Sequence, residues 1–158
     1  VQTCALPICP VIDRDIVIAA NHSGNLTAMN FVNGEVVWSR DIASIQTPLI
    51  AGDFVYIVST EGQIVCLLRR DGRVKWTAQL PAYGNPDDKE DPIVWNGPVL
   101  VSNRLLLVSS DGRAVTLSPF TGEKQSETEL PEGTRVSPVV AEGTVYVLTE
   151  NAALVALR

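Results

Sequence analysis

Few side chains in this sequence have the type and spacing that chemistry demands. The single histidine, His22, has no cysteine or second histidine near it, and Cys4, Cys9 and Cys66 form no CxxC pair. Zinc therefore finds no ligand set, and no Ser/His/Asp or Cys/His arrangement can be drawn with any spacing logic. Cys66 lies within an apolar run and reads as a small core residue, not a reactive thiol. What remains is the stretch TAQLPAYGNPDDKEDPIVWNG, where Asp87, Asp88, Glu90 and Asp91 stand beside Tyr83 and Trp95. Carboxylates edged by aromatics suit a partner-binding rim or a weak calcium site, and a solvated, proline-stiffened insertion is the third reading. The spacing matches no EF-hand loop, which sets calcium last. Arg69, Arg70 and Arg73 flank Asp71-Gly72 and read as a solvated hairpin tip. The net charge of -6 argues against a nucleic-acid partner. No apolar run approaches the roughly 20 residues of a membrane helix.

The elements that must carry these residues are set by an internal repeat. From Pro10, Pro48 and Pro98 one glycine follows at a constant interval (Gly24, Gly62, Gly112) and a second at a longer one (Gly34, Gly72, Gly122). A tryptophan closes two of the copies, Trp38 and Trp76, and Ser126 takes that place in the third; Pro138 opens a fourth copy. Each copy holds short β-branched runs between turn residues, which predicts four strands: in the second copy 48–51, 55–59, 63–68 and 73–78. Its second strand, Val55-Tyr56-Ile57-Val58, is apolar on consecutive residues, as are Leu105-Leu106-Leu107-Val108 and Val145-Tyr146-Val147-Leu148. A sheet with one wet face would alternate, so both faces must be covered. A four-stranded unit of about 40 residues, covered on each side by copies of itself, is a propeller blade. The expected fold is all-β: a partial propeller with antiparallel blades at 10–47, 48–97 and 98–137 and an incomplete one at 138–158.

The closing motif has a family resemblance. Ala28-x-Asn30-x-x-Asn33-Gly34-x-x-x-Trp38 and Cys66-x-Leu68-x-x-Asp71-Gly72-x-x-x-Trp76 resemble the tryptophan-docking motif of quinoprotein-type (PQQ-like) propellers, and Thr116-x-Ser118-x-x-Thr121-Gly122 is a copy without the indole. A flat indole buries a large apolar area against a neighbouring blade. It needs small residues beneath it, which Ala28, Cys66, Thr116 and Ala156 would supply. Residues 1–8, VQTCALPI, fit no repeat and match the translation of a common short-read sequencing adapter. They are expected to stand outside the fold, with any signal peptide or lipid anchor lying in a missing N-terminal part.

From Pro10 onward the chain resembles the C-terminal half of the BamB family of outer-membrane assembly factors. The carriers are the repeats, GDFVYIVSTEGQIVCLLRRDGRVKW, the DDKEDPIVWNGPVL segment and an ending after the third strand of the last blade. The resemblance implies an eight-bladed lipoprotein scaffold on the periplasmic face of the outer membrane of a Gram-negative bacterium. It implies a BamA-like protein partner, no cofactor and no catalysis, with the partner-contacting residues upstream of Pro10. The competing reading is a fragment of a PQQ-dependent dehydrogenase, which shares the blade motif. That chemistry needs calcium-coordinating Glu, Asn and Asp and a base at the propeller mouth, and no matching set is found here.

Overall fold

Short β-branched runs broken by turn residues become strands wherever their apolar side chains can be covered. The computed structural model describes residues 9–85 and 87–157, so the octapeptide VQTCALPI lies outside the described residues. Four antiparallel meanders follow one another. The first blade holds β1 (Val11–Asp13), β2 (Ile16–Ala20), β3 (Asn25–Asn30) and β4 (Val36–Asp41). The second holds β5 (Leu49–Ala51), β6 (Phe54–Val58), β7 (Gln63–Leu68) and β8 (Val74–Gln79). A two-stranded hairpin, β9 (Tyr83–Asn85) and β10 (Glu90–Pro92), interrupts the path to the third blade. That blade holds β11 (Trp95–Val101), β12 (Arg104–Ser109), β13 (Arg113–Leu117) and β14 (Lys124–Glu129). The last comprises β15 (Val139–Ala141), β16 (Thr144–Leu148) and β17 (Leu154–Leu157). No helix occurs among the described residues.

The consecutive apolar residues of the second strands are shared among three cores, one in each seam. Val55 and Ile57 of β6 pack with Ile16, Ile18, Leu26 and Trp38 of the first blade. Tyr56 and Val58 of the same strand turn the other way, onto Leu105, Leu107, Val115 and Leu117 of the third. In β12, Leu106 and Val108 then face Val145 and Val147 of the last blade. Successive strand residues point to opposite faces, so a sheet buried on both sides needs apolar residues at every position. The sheets are thus stacked face to face in chain order. Neighbouring sheets meet through their first strands, β1 with β5, β5 with β11 and β11 with β15, and β11 also lies against β6. This is a partial β-propeller.

The end blades obey the same rule in reverse. Ile12 and Val36 of the first blade and Val139, Leu148 and Leu154 of the last remain exposed, each on a face with no neighbouring sheet among the described residues. One turn was not legible from glycine spacing: β11 and β12 are joined at Ser102-Asn103, both with positive φ (45° and 61°). Asparagine tolerates the left-handed region better than most residues.

Candidate functional site

Most of the chemically distinctive side chains are used to join blades. Trp38 lies opposite Ala28 in the β3/β4 register and Trp76 opposite Cys66 in β7/β8. Both Ala28 and Cys66 are fully buried. Each indole reaches forward onto the next blade. Trp38 covers Gly72 and donates its Nε1–H to the Arg69 carbonyl at 2.7 Å. Trp76 covers Gly122 and donates to the Pro119 carbonyl at 3.0 Å. The two acceptors stand three residues before their glycines, so the contact repeats to the atom. Both glycines have positive φ (65° and 76°), and a Cβ on either would meet the ring at 2.6 or 2.5 Å. The glycine has two duties: it turns the hairpin and it leaves a bare floor for the indole of the preceding blade. The third blade has Thr116 opposite Ser126, with the two hydroxyls hydrogen-bonded at 2.6 Å.

A second set of joints is polar. Gln46, two residues before Pro48, donates from Nε2 to the Asn96 Oδ1 at 3.2 Å. Asn96, two before Pro98, donates from Nδ2 to the Thr134 carbonyl at 3.1 Å. One buried amide therefore ties the three connections between blades. Ser44 and Thr134, equivalent by repeat, each donate a hydroxyl to a carbonyl of the next second strand, Val58 at 2.6 Å and Leu148 at 2.7 Å. The N–H groups of Thr60, Ser110 and Glu150 donate to the preceding connections at Ala43, Val94 and Gly133. Those positions share a repeat site with His22, which is exposed. Asn96→Ala is expected to leave the Gln46 amide and Thr134 carbonyl short of a partner and to cost about 1–3 kcal/mol in urea unfolding.

The acidic stretch folds as the β9/β10 hairpin between the second and third blades. Asp87, Asp88, Glu90 and Asp91 are all exposed, with Lys89 the one cation among them. The Asn85 side-chain amide donates to Asp88 at 3.0 Å, and Asn85 Oδ1 accepts from the Asp87 N–H at 3.3 Å. Tyr83 is half-buried at the base. Trp95 does not belong to this rim. It is only 2 % exposed, packs in the core between the second and third blades, and donates Nε1–H to the Pro81 carbonyl at 2.7 Å. The Arg113 guanidinium lies over its ring, 5.7 Å from the centroid. Burial would raise the Asp111 carboxyl, but hydrogen bonds from Arg113 and Ser109 outweigh it and hold it below the usual carboxylate range.

The arginine cluster also divides. Arg70 and Arg73 are exposed and pair with Asp71 within their own turn, as a solvated tip would. Arg69 is not solvated: its side chain is 15 % exposed and forms ion pairs with Asp13 and, at 3.4 Å, Asp15 of the first blade. Arg40 works the same seam, donating to the Gly72 and Asp71 carbonyls at 2.7 and 2.8 Å. Cys66 faces Tyr56 across β6/β7. Burial pushes the Cys66 thiol up to about 11, and burial together with Cys66 pushes the Tyr56 phenol up to about 12. A thiol held neutral under an indole has no nucleophilic role. Among the described residues no three His, Cys, Asp or Glu side chains converge as a metal would require.

A family model described as outer membrane protein assembly factor BamB matches residues 6–78 and 85–158. The outer membrane protein assembly factor BamB of Legionella pneumophila (strain Paris) is 27% identical over 146 residues, spanning 92% of this chain and 35% of that protein. The crystal structure of BamB from Moraxella catarrhalis superposes with a TM-score of 0.78 at 20% identity, over 96% of this chain and 44% of the other. A quinohemoprotein alcohol dehydrogenase from Pseudomonas putida HK5 gives 0.70 at 11% identity, over 87% of this chain and 27% of the other. At such identities the structural likenesses speak for the fold alone. The chain spans about a third of the length of the curated relatives it matches.

Proposed function

The chain belongs to the outer membrane protein assembly factor BamB family, and from that membership we propose that it acts without catalysis, as part of a propeller scaffold for outer-membrane protein assembly. Its place would be the periplasmic side of the outer membrane of a Gram-negative bacterium, and its partner a BamA-like assembly subunit. The observation that carries this reading is the family match across both halves of the chain. The use of its indoles, amides and buried hydroxyls as blade joints is in keeping with it, because a scaffold needs rigidity before it needs reactive groups.

The rim feature best placed to meet a partner is the β9/β10 hairpin. Four exposed carboxylates on a projecting ribbon complement a basic surface and would speed its encounter. The replacements Asp87→Ser, Asp88→Ser, Glu90→Ser and Asp91→Ser together are expected to weaken binding of a purified BamA-like periplasmic region about tenfold, mostly through a slower on-rate and a flatter salt dependence. Biolayer interferometry at two ionic strengths reads both. Undiminished affinity would remove the hairpin from the interface. Dye reduction by this chain with PQQ, calcium and an alcohol would overturn the non-catalytic reading.

A further inference from the structure

A cavity of about 600 Å³ lies in the first seam, at the rim where the β1/β2 and β5/β6 turns meet the ends of β3 and β7. That size falls within the roughly 300–1,000 Å³ of pockets that take ligands. The two sheets that wall it, β1 to β4 and β5 to β8, are both whole. The room has a local cause: Ile16 and Val37 line it from the first blade, where the repeat sets Phe54 and Lys75 in the second. Smaller side chains leave more space. Val37 is 48% exposed there, an apolar surface that folding leaves uncovered.

The polar lining is divided by sign. Asp15 and Arg69 already pair with each other, at 3.4 Å. Asp53 takes part in none of the ion pairs of this rim. Arg70 bonds Asp71 through Nε alone, at 3.3 Å, and keeps both terminal nitrogens. Asn30 accepts the Val32 and Asn33 N–H groups at Oδ1, at 2.8 and 3.1 Å, and keeps its two N–H donors. One wall group is therefore free to accept only, and two are free to donate only.

This arrangement serves a fully charged ligand badly. The Arg69 N–H donates to the Asp53 carbonyl at 2.8 Å, so the two turns of the second blade are adjacent. An ammonium drawn to Asp53 would meet the guanidinium groups of Arg69 and Arg70, and a carboxylate drawn to Arg70 would meet Asp53 and Asp71. A hydroxyl both donates and accepts. Neighbouring hydroxyls on one ring can therefore give to Asp53 and take from Asn30 or Arg70 together, while the C–H face of the ring covers Ile16 and Val37.

We propose that the rim end of the seam between the first and second blades is a binding site for a neutral sugar in pyranose form. The proposal stands on the cavity and on the repeat, and needs neither the hairpin nor the family assignment.

The test titrates the methyl glycosides of glucose, galactose, mannose and N-acetylglucosamine, one at a time, into the isotope-labelled chain while side-chain amide and methyl resonances are followed. Valine and putrescine are the charged controls. At least one glycoside is expected to give saturable shifts at the Asn30 amide and the Val37 methyls, half complete at about 1 mM, as suits hydrogen bonds made in exchange for water. Neither control is expected to shift them. Asp53→Ala is expected to weaken binding about tenfold. Val37→Lys and Asn30→Leu install the residues that the second blade carries at the same repeat positions, Lys75 and Leu68, so both suit the blade fold. Each is expected to abolish the shifts at the rest of the lining. No saturable shift with any of the four glycosides, an equal response to valine or putrescine, or full binding by the Asp53→Ala or Val37→Lys chain would each overturn the proposal.

Discussion

Gly72→Ala is expected to destabilise the protein far more than Gly34→Ala, although the two glycines share a repeat position and nearly the same backbone. Their φ angles are 65° and 74°, so an alanine meets the same left-handed penalty at both, about 1–2 kcal/mol. Around Gly34 no atom lies within 4 Å of the added methyl. At Gly72 the methyl would stand 2.6 Å from the Trp38 ring. The ring has little room to retreat. It is itself buried, its Nε1–H is fixed to Arg69, and Arg40 grips the Asp71 and Gly72 carbonyls beside it. Overpacking of this kind adds about 1–3 kcal/mol. Urea unfolding of the two variants isolates the docking contribution, because the backbone penalty cancels in the comparison. Equal midpoints at equal slopes would mean that the indole contact does not hold the first two blades together.

The blade is written in the sequence, but the contacts between blades are not. Pro10, Pro48 and Pro98 with their glycines and Trp38 and Trp76 define the blade, and the unbroken apolar runs of β6 and β12 require a sheet on each side. Both features are local, with a period fixed by hydrogen bonding and pleat, so they are written in a linear string. The partner of each indole is not local. Trp38 meets Arg69 and Gly72, Trp76 meets Pro119 and Gly122, and Gln46 reaches Asn96. Nothing in a repeat states which neighbour a side chain faces, so the sequence alone presents Gly72 and Gly122 as turn residues only. The same holds for Arg69. Its position in a charged hairpin suggested solvent, while its acidic partners Asp13 and Asp15 belong to another blade. The candidate rim suffered the opposite error: Trp95 adjoins the carboxylates in the chain, but its strand carries it inward.

Trp95→Ala therefore separates stability from recognition. The indole is almost wholly inaccessible, in a core with Leu80, Ile93 and Val115. Its removal opens a cavity, leaves the Pro81 carbonyl without its 2.7 Å donor and takes the ring from beneath Arg113. Truncating a buried tryptophan costs about 3–5 kcal/mol. The loss here should lie toward the upper end, because a buried acceptor is orphaned as well. The hairpin substitutions at Asp87, Asp88, Glu90 and Asp91 touch exposed side chains and are expected to move stability by no more than about 0.5 kcal/mol. Thermal unfolding read beside partner affinity for the two variants gives opposite patterns if the rim and the core are as placed. Trp95→Ala melts early, and at temperatures where it is still folded it binds with nearly native affinity; the hairpin variant melts normally and binds weakly. A Trp95→Ala chain with native stability and lost affinity would put the indole in the interface. It would also require that the packing around Trp95 rearrange when the partner arrives, since the ring is almost wholly covered in the free chain.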